Sequence, residues 1–213
     1  MIRRLLTTTL GGLAGVVVLD RWLSGLSRDE EGRPRRVPIR SRVAIDAPIG
    51  VVWARLADIP SQPQWMTEMS AVRVITPGPV GVGTRAEADV RILGITVRDP
   101  VEVVEFSPPH RFAIRHEGRF EGSGVFILDT VDGGQGTHVD WAEILVPPIL
   151  PTLGAMVQGP ILQRIFQADL ERLKALVEGE AEAHDAAEAD DADHAAGDAD
   201  HAADARAPSA DAG

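Results

Sequence analysis

Apolar and polar positions change period along this chain in an order that predicts its elements. Val37 to Asp46 alternates as a strand, with Pro38 setting its start at an edge. Pro48 to Ile59 then takes helical spacing, with Val52, Leu56 and Ile59 on one face, and Pro60 and Pro63 break the next stretch into a short second helix or a loop. Six strand-like runs come next, at 69–76, 82–93, 95–106, 110–118, 120–130 and 137–146, punctuated by glycines and by Pro108-Pro109, the spacing of an antiparallel meander. A last helix, beginning at Thr152 or at Pro160 and running to Glu178, carries Leu162, Ile165, Phe166, Leu170, Leu173 and Val177 at three-to-four spacing. The order strand, two helices, six strands, long helix predicts an α+β class with seven strands in an antiparallel sheet.

Both ends depart from this pattern and divide the chain into four parts. Residues 1–26 hold Arg3-Arg4, an apolar run from Leu5 to Leu19 and the flank Asp20-Arg21-Trp22, which reads as membrane-directed. The run is short for a spanning helix, so an uncleaved anchor, a cleaved signal and a soluble amphipathic helix all stay open, as does the side of the membrane. Residues 27–36 are a polar linker and residues 37–178 the folded domain. Residues 179–213 are nearly all Ala, Asp, Glu, His and Gly, too poor in apolar side chains to bury, and are expected to be disordered.

Charge sharpens the division. The net charge is −11, yet residues 1–42 carry nine Arg against four acids and residues 178–213 carry twelve acids against Arg206 alone. The domain between has no basic stripe or aromatic platform, which argues against nucleic acid as a partner. Cysteine is absent, so thiolate and disulfide chemistry are excluded. Twenty Arg against the lone Lys174 reads as codon bias rather than function.

The opening Ala47-Pro48 of the first helix, Trp53 on it, Asp58 followed by Trp65, and the turn Gly78-Pro79-Val80-Gly81-Val82-Gly83-Thr84 resemble the START-like (SRPBCC) superfamily, in particular its polyketide cyclase/dehydrase family. The resemblance covers about two thirds of the chain. It implies a helix-grip fold, a curved antiparallel seven-stranded sheet wrapped around the long C-terminal helix with a cavity between them, and it implies no single reaction.

Alternation places candidates in that cavity. Arg85, Glu87, Asp89 and Arg91 fall on one face of their strand and the small Ala86 and Ala88 on the other, where they leave room either for a ligand or for a packed helix side chain. Phe112, Ile114 and His116 share an inward face, as do Val139, Trp141, Glu143 and Leu145. An inward Glu143 is costly unless paired, neutralised or wet. Trp65, Met66 and Met69 are placed at the entrance, and Phe166 on the covering helix. Glu143 and His116 are the candidate acid/base pair; no Ser elbow, phosphate loop or zinc motif accompanies them. The repeated Asp-Ala-Asp-His at Asp191 and Asp198 reads as a solvated acidic tail rather than a metal site. No cofactor is indicated, and the oligomeric state is open. The leading expectation is a non-enzymatic carrier of an apolar lipid, isoprenoid or polyketide-like molecule near a membrane, closed by its last helix with Gly154 and Gly159 as flex points. An aromatase/cyclase-like enzyme and an interaction module with a filled core are the alternatives.

Overall fold

The computed structural model describes residues 17–19, 21–22, 39–92, 95–118, 121–146 and 159–183. Seven antiparallel strands form one sheet: β1 (Ile39–Ile45), β2 (Met69–Val74), β3 (Arg85–Ile92), β4 (Ile95–Ser107), β5 (Arg111–Glu117), β6 (Glu121–Val131) and β7 (Gly136–Val146). Their order is β1-β7-β6-β5-β4-β3-β2, so six consecutive strands meander and the first strand returns to pair with the last. Helix α1 (Ile49–Ala57) and a 3-10 helix (Ile59–Gln64) separate β1 from β2. Helix α2 occupies residues 159–183.

Period-2 patterning explains the curl of the sheet around α2. On β1, Val43 and Ile45 are buried while Arg40, Arg42 and Ala44 are exposed. The inner face meets Val52, Trp53 and Leu56 of α1 and Leu170, Leu173 and Val177 of α2 in one core. The outer face carries two sets of ion pairs. Arg73 and Arg98 meet Glu87 and Asp89, and Arg85 and Arg115 meet Glu102 and Glu117, at 3.1–3.9 Å. Such exposed pairs contribute little each, up to about 1 kcal/mol.

Helix α2 holds the free edge of β1 in an unusual way. The Gln163 side chain accepts from the backbone N–H of Arg40 and donates to its carbonyl, and Gln167 does the same at Arg42. Lys174 Nζ donates to the Ala44 carbonyl at 2.7 Å, and Glu178 Oε1 accepts from the Asp46 N–H at 2.7 Å. The outward groups of an edge strand, which would otherwise template another chain, are thus satisfied by side chains spaced along one side of a helix.

Two boundaries differ most from the sequence pattern. Residues 179–183 continue α2 instead of opening the tail, since Glu180, Ala181 and Glu182 are strong helix formers, and Glu180 pairs with Arg55 at 3.3 Å. The strand expected from 82 starts at Arg85, because Val82 and Gly83 complete a turn in which Thr84 N–H donates to the Gly81 carbonyl at 3.0 Å. Of the membrane-directed segment only 17–19 and 21–22 are described, as helix; the rest of it, the linker 27–36, Gly154 and the tail beyond 183 lie outside the described residues. No helix among the described residues is long and apolar enough to cross a membrane.

Candidate functional site

The sheet and α2 do not close fully on each other. Between them lies a cavity that offers about 120 Å³ to the centre of a water-sized sphere, against the roughly 10–15 Å³ that one water requires. Most of its wall is apolar. Ala86 and Ala88 are each buried and line it, and their missing side-chain volume is what keeps the space open beneath α2. Phe112, Ile114, Phe126 and Trp141 form the sheet side, and Leu162 and Phe166 the helix side. The interior is therefore not filled by its own side chains.

Trp141 anchors the aromatic wall. It stacks on Phe126 at 4.8 Å and on Phe166 at 4.4 Å between ring centroids, and meets Trp65 edge-on at 6.5 Å. Of the eleven residues expected at the cavity, ten line it: Met66, Met69, Ala86, Ala88, Phe112, Ile114, His116, Trp141, Glu143 and Phe166. Trp65 does not. It follows the 3-10 helix and turns its indole behind the lining against Phe126 and Trp141, where it is 1% exposed.

One polar cluster interrupts the apolar wall. His116 Nε2 lies 2.7 Å from Glu143 Oε1 and His116 Nδ1 lies 2.6 Å from Asp99 Oδ2. Trp141 Nε1 donates to Glu143 Oε2 at 2.8 Å. The three ionisable members are shielded from solvent, the side chains of His116, Asp99 and Glu143 being 11%, 9% and 4% exposed. Burial alone lowers the His116 pKa, but hydrogen bonds to Asp99 and Glu143 and their charges outweigh it and push the imidazole up to about 10. The ring is thus an imidazolium clamped between two acids at neutral pH, with both nitrogens committed.

Strand register makes the clamp possible. Val101 pairs with His116 across β4 and β5, so Asp99 sits one diagonal step away on the same inner face. Glu143 pairs with Gly124 across β6 and β7, and Gly124 in turn with Ile114 of β5. The Glu143 carboxylate therefore passes over Gly124 to reach the imidazole two strands away. A Cβ at Gly124 would overlap Glu143 Oε2, and one at Gly118 would sit 2.9 Å from Asp99 Oδ1. Glycine at both places provides the close approach.

Asp99 is not among the expected residues, although its signal is in the sequence. Alternation along 95–106 sets Val97, Asp99, Val101 and Val103 on one face, an acid inside an apolar row as conspicuous as Glu143. Asp169 is a second omission. It falls between Phe166 and Leu170 on the inner side of α2, lines the cavity, and accepts from Thr67 N–H at 3.1 Å and from Arg172 at 2.6 Å. Burial, with the Glu68 charge as a lesser contribution, raises its pKa against the lowering effect of Thr67 and Arg172.

Residues 36–178 match the family model described as polyketide cyclase/dehydrase and lipid transport. No curated protein matches the chain in sequence. Among solved structures, the chain is similar to the ZhuI aromatase/cyclase of Streptomyces sp. R1128, at 17% identity and a TM-score of 0.59, covering 68% of this chain and 94% of that one. It is similar also to a START superfamily protein of Mycobacterium smegmatis (17%, TM-score 0.51, 70% and 98% covered) and to DR_A0006 of Deinococcus radiodurans (24%, TM-score 0.51, 65% and 95% covered). At these identities the likeness establishes the fold.

Proposed function

We propose that this chain, which belongs to the polyketide cyclase/dehydrase and lipid transport family through residues 36–178, binds and carries an apolar small molecule in the cavity between its sheet and α2. The observation that carries the reading is the cavity itself, an apolar chamber kept open by Ala86 and Ala88 where larger side chains would have packed. Burial of apolar ligand surface supplies affinity at such a site and a few polar groups fix orientation.

A carrier fits the polar cluster better than an acid/base enzyme does. A general base needs an atom with a free lone pair aimed at substrate. His116 has neither nitrogen free, since Asp99 and Glu143 hold both, and Glu143 has one oxygen on His116 and the other on Trp141. These groups are arranged to hold position.

Native mass spectrometry of protein purified without detergent and then offered a lipid extract tests this directly. Wild type is expected to retain an added mass, and Ala88→Leu, which fills the chamber with apolar volume, is expected to lose it with no loss of thermal stability. Persistent absence of any added mass in wild type would sink the carrier reading. The apolar run Leu5–Leu19 and the linker 27–36 support a location at a membrane surface, where an apolar cargo partitions. Cell fractionation should then find full-length protein with membranes; recovery of uncleaved protein wholly in the soluble fraction would overturn that part.

A further inference from the structure

The apolar chamber is short of positive charge at both of its polar places. Among the described residues its lining holds four acids, Glu68, Asp99, Glu143 and Asp169, against the single basic side chain His116, with no Lys or Arg. Asp99 and Glu143 share the imidazolium of His116 between them. Glu68 and Asp169 have one cation between them as well, Arg172, which reaches Asp169 at 2.6 Å from outside the lining. Glu68 comes directly after Thr67, whose N–H Asp169 accepts, and its half-buried side chain has no ion pair or hydrogen bond among the described residues. Burial comes first among the causes that raise the Asp169 pKa and the Glu68 charge second, so the two carboxylates stand within Coulombic reach of each other.

We infer that the cavity takes an apolar organic cation, an amine or quaternary ammonium whose head meets Glu68 and whose body lies along Phe166 and Trp141, and that it rejects apolar anions. An anion would enter a chamber where acids already outnumber cations at each polar place, and away from water like charges are weakly screened. A neutral head group would leave that imbalance as it is. A cation corrects it. Loss of the cation's hydration is offset only where an acid stands ready to pair with it, as the uncommitted Glu68 does. Phe166 lies one turn before Asp169 on α2 and stacks on Trp141 at 4.4 Å, so a body seated against this wall brings its head towards Asp169 and Glu68.

Cation selection rests on the carrier reading, and a matched ligand series separates the two. Calorimetric titration of the purified full-length chain at pH 7 with 2-naphthylmethylamine, which is an ammonium at that pH, with 2-naphthylmethanol and with 2-naphthoate varies the head charge on one apolar body. The ammonium is expected to bind at least about tenfold more tightly than the alcohol, and the naphthoate most weakly of the three. Glu68→Gln keeps the shape of the side chain and removes its charge; it is expected to cut the preference for the ammonium to about twofold or less, with thermal unfolding like that of wild type. Equal affinity for ammonium and alcohol, tighter binding of naphthoate, or a preference that Glu68→Gln leaves intact would overturn the cation rule and leave the carrier reading standing. Failure of all three to bind would overturn cation selection, and the carrier reading with it if wild type also retains no mass from the lipid extract.

Discussion

Replacing His116 by Leu is expected to destabilise the protein by about 3–5 kcal/mol at pH 6, the cost of removing one partner from a buried charge cluster. The imidazolium sits between Asp99 and Glu143, and its loss leaves two acids facing each other across an apolar pocket with nothing between them. The pH dependence identifies the cause. Folding raises the His116 pKa from 6.5 to about 10, so between those values the folded state binds a proton that the unfolded state has released, and stability must fall as pH rises. The contribution is fully present below about pH 6.5 and is lost through pH 10. A shift of this size is worth several kcal/mol, in line with the mutational figure. Denaturant unfolding of both proteins at pH 6 and pH 10 should therefore show a large gap that narrows to about 1 kcal/mol or less. A gap that stays constant with pH would mean that the ring is neutral and serves only to fill space.

The second large effect belongs to Trp141, which has a packing role and a hydrogen-bonding role that two substitutions separate. Trp141→Ala removes the ring that contacts Phe126, Phe166 and Trp65 together, and is expected to cost about 3–5 kcal/mol. Trp141→Phe keeps an aromatic ring in the stack but removes the N–H that Glu143 Oε2 accepts. The expected cost is then about 1–3 kcal/mol, the penalty for a buried acceptor left without a donor. Because Glu143 also holds His116, the Phe variant should change the His116 pKa as read by NMR titration. An unchanged titration would show that the indole N–H does not tune the clamp.

Much of this site can be read from alternation alone. His116 and Glu143 stand out because each breaks an apolar row, and strand geometry leaves an inward residue two choices, to be paired or to be costly. Ala86, Ala88, Phe112 and Ile114 come from the same rule, and Phe166 from helical spacing. The rule fails where periodicity does. On β4 the pairing slips between Val103 and Glu105, so Val104 is extra and exposed and Phe106 returns to the inner face against the strict alternation. Trp65 comes just after a 3-10 helix, where neither the period of 2 nor that of 3.6 applies, and proximity to the entrance does not say which way its ring turns. No pattern in one strand can show that Asp99, His116 and Glu143 come from β4, β5 and β7 to make one cluster. That depends on register and on Gly124 letting a carboxylate cross a neighbouring strand.

The attachment of α2 is lopsided, and this sets how the chamber can open. Along β1 six hydrogen bonds join helix side chains to the strand's backbone and its end; on the side of α1 and the 3-10 helix, among the described residues, Asp169 accepts the N–H of Thr67 and Glu180 pairs with Arg55. The helix is hung like a door, with its hinge along β1 and its latch at Thr67 and Arg55. Lifting it from the hinge side would bare an unpaired strand edge to every other copy of the protein in solution. Swinging it from the latch side breaks fewer polar contacts and leaves that edge covered, and Met66 and Met69, which line the chamber, have the flexibility that suits a moving apolar cargo.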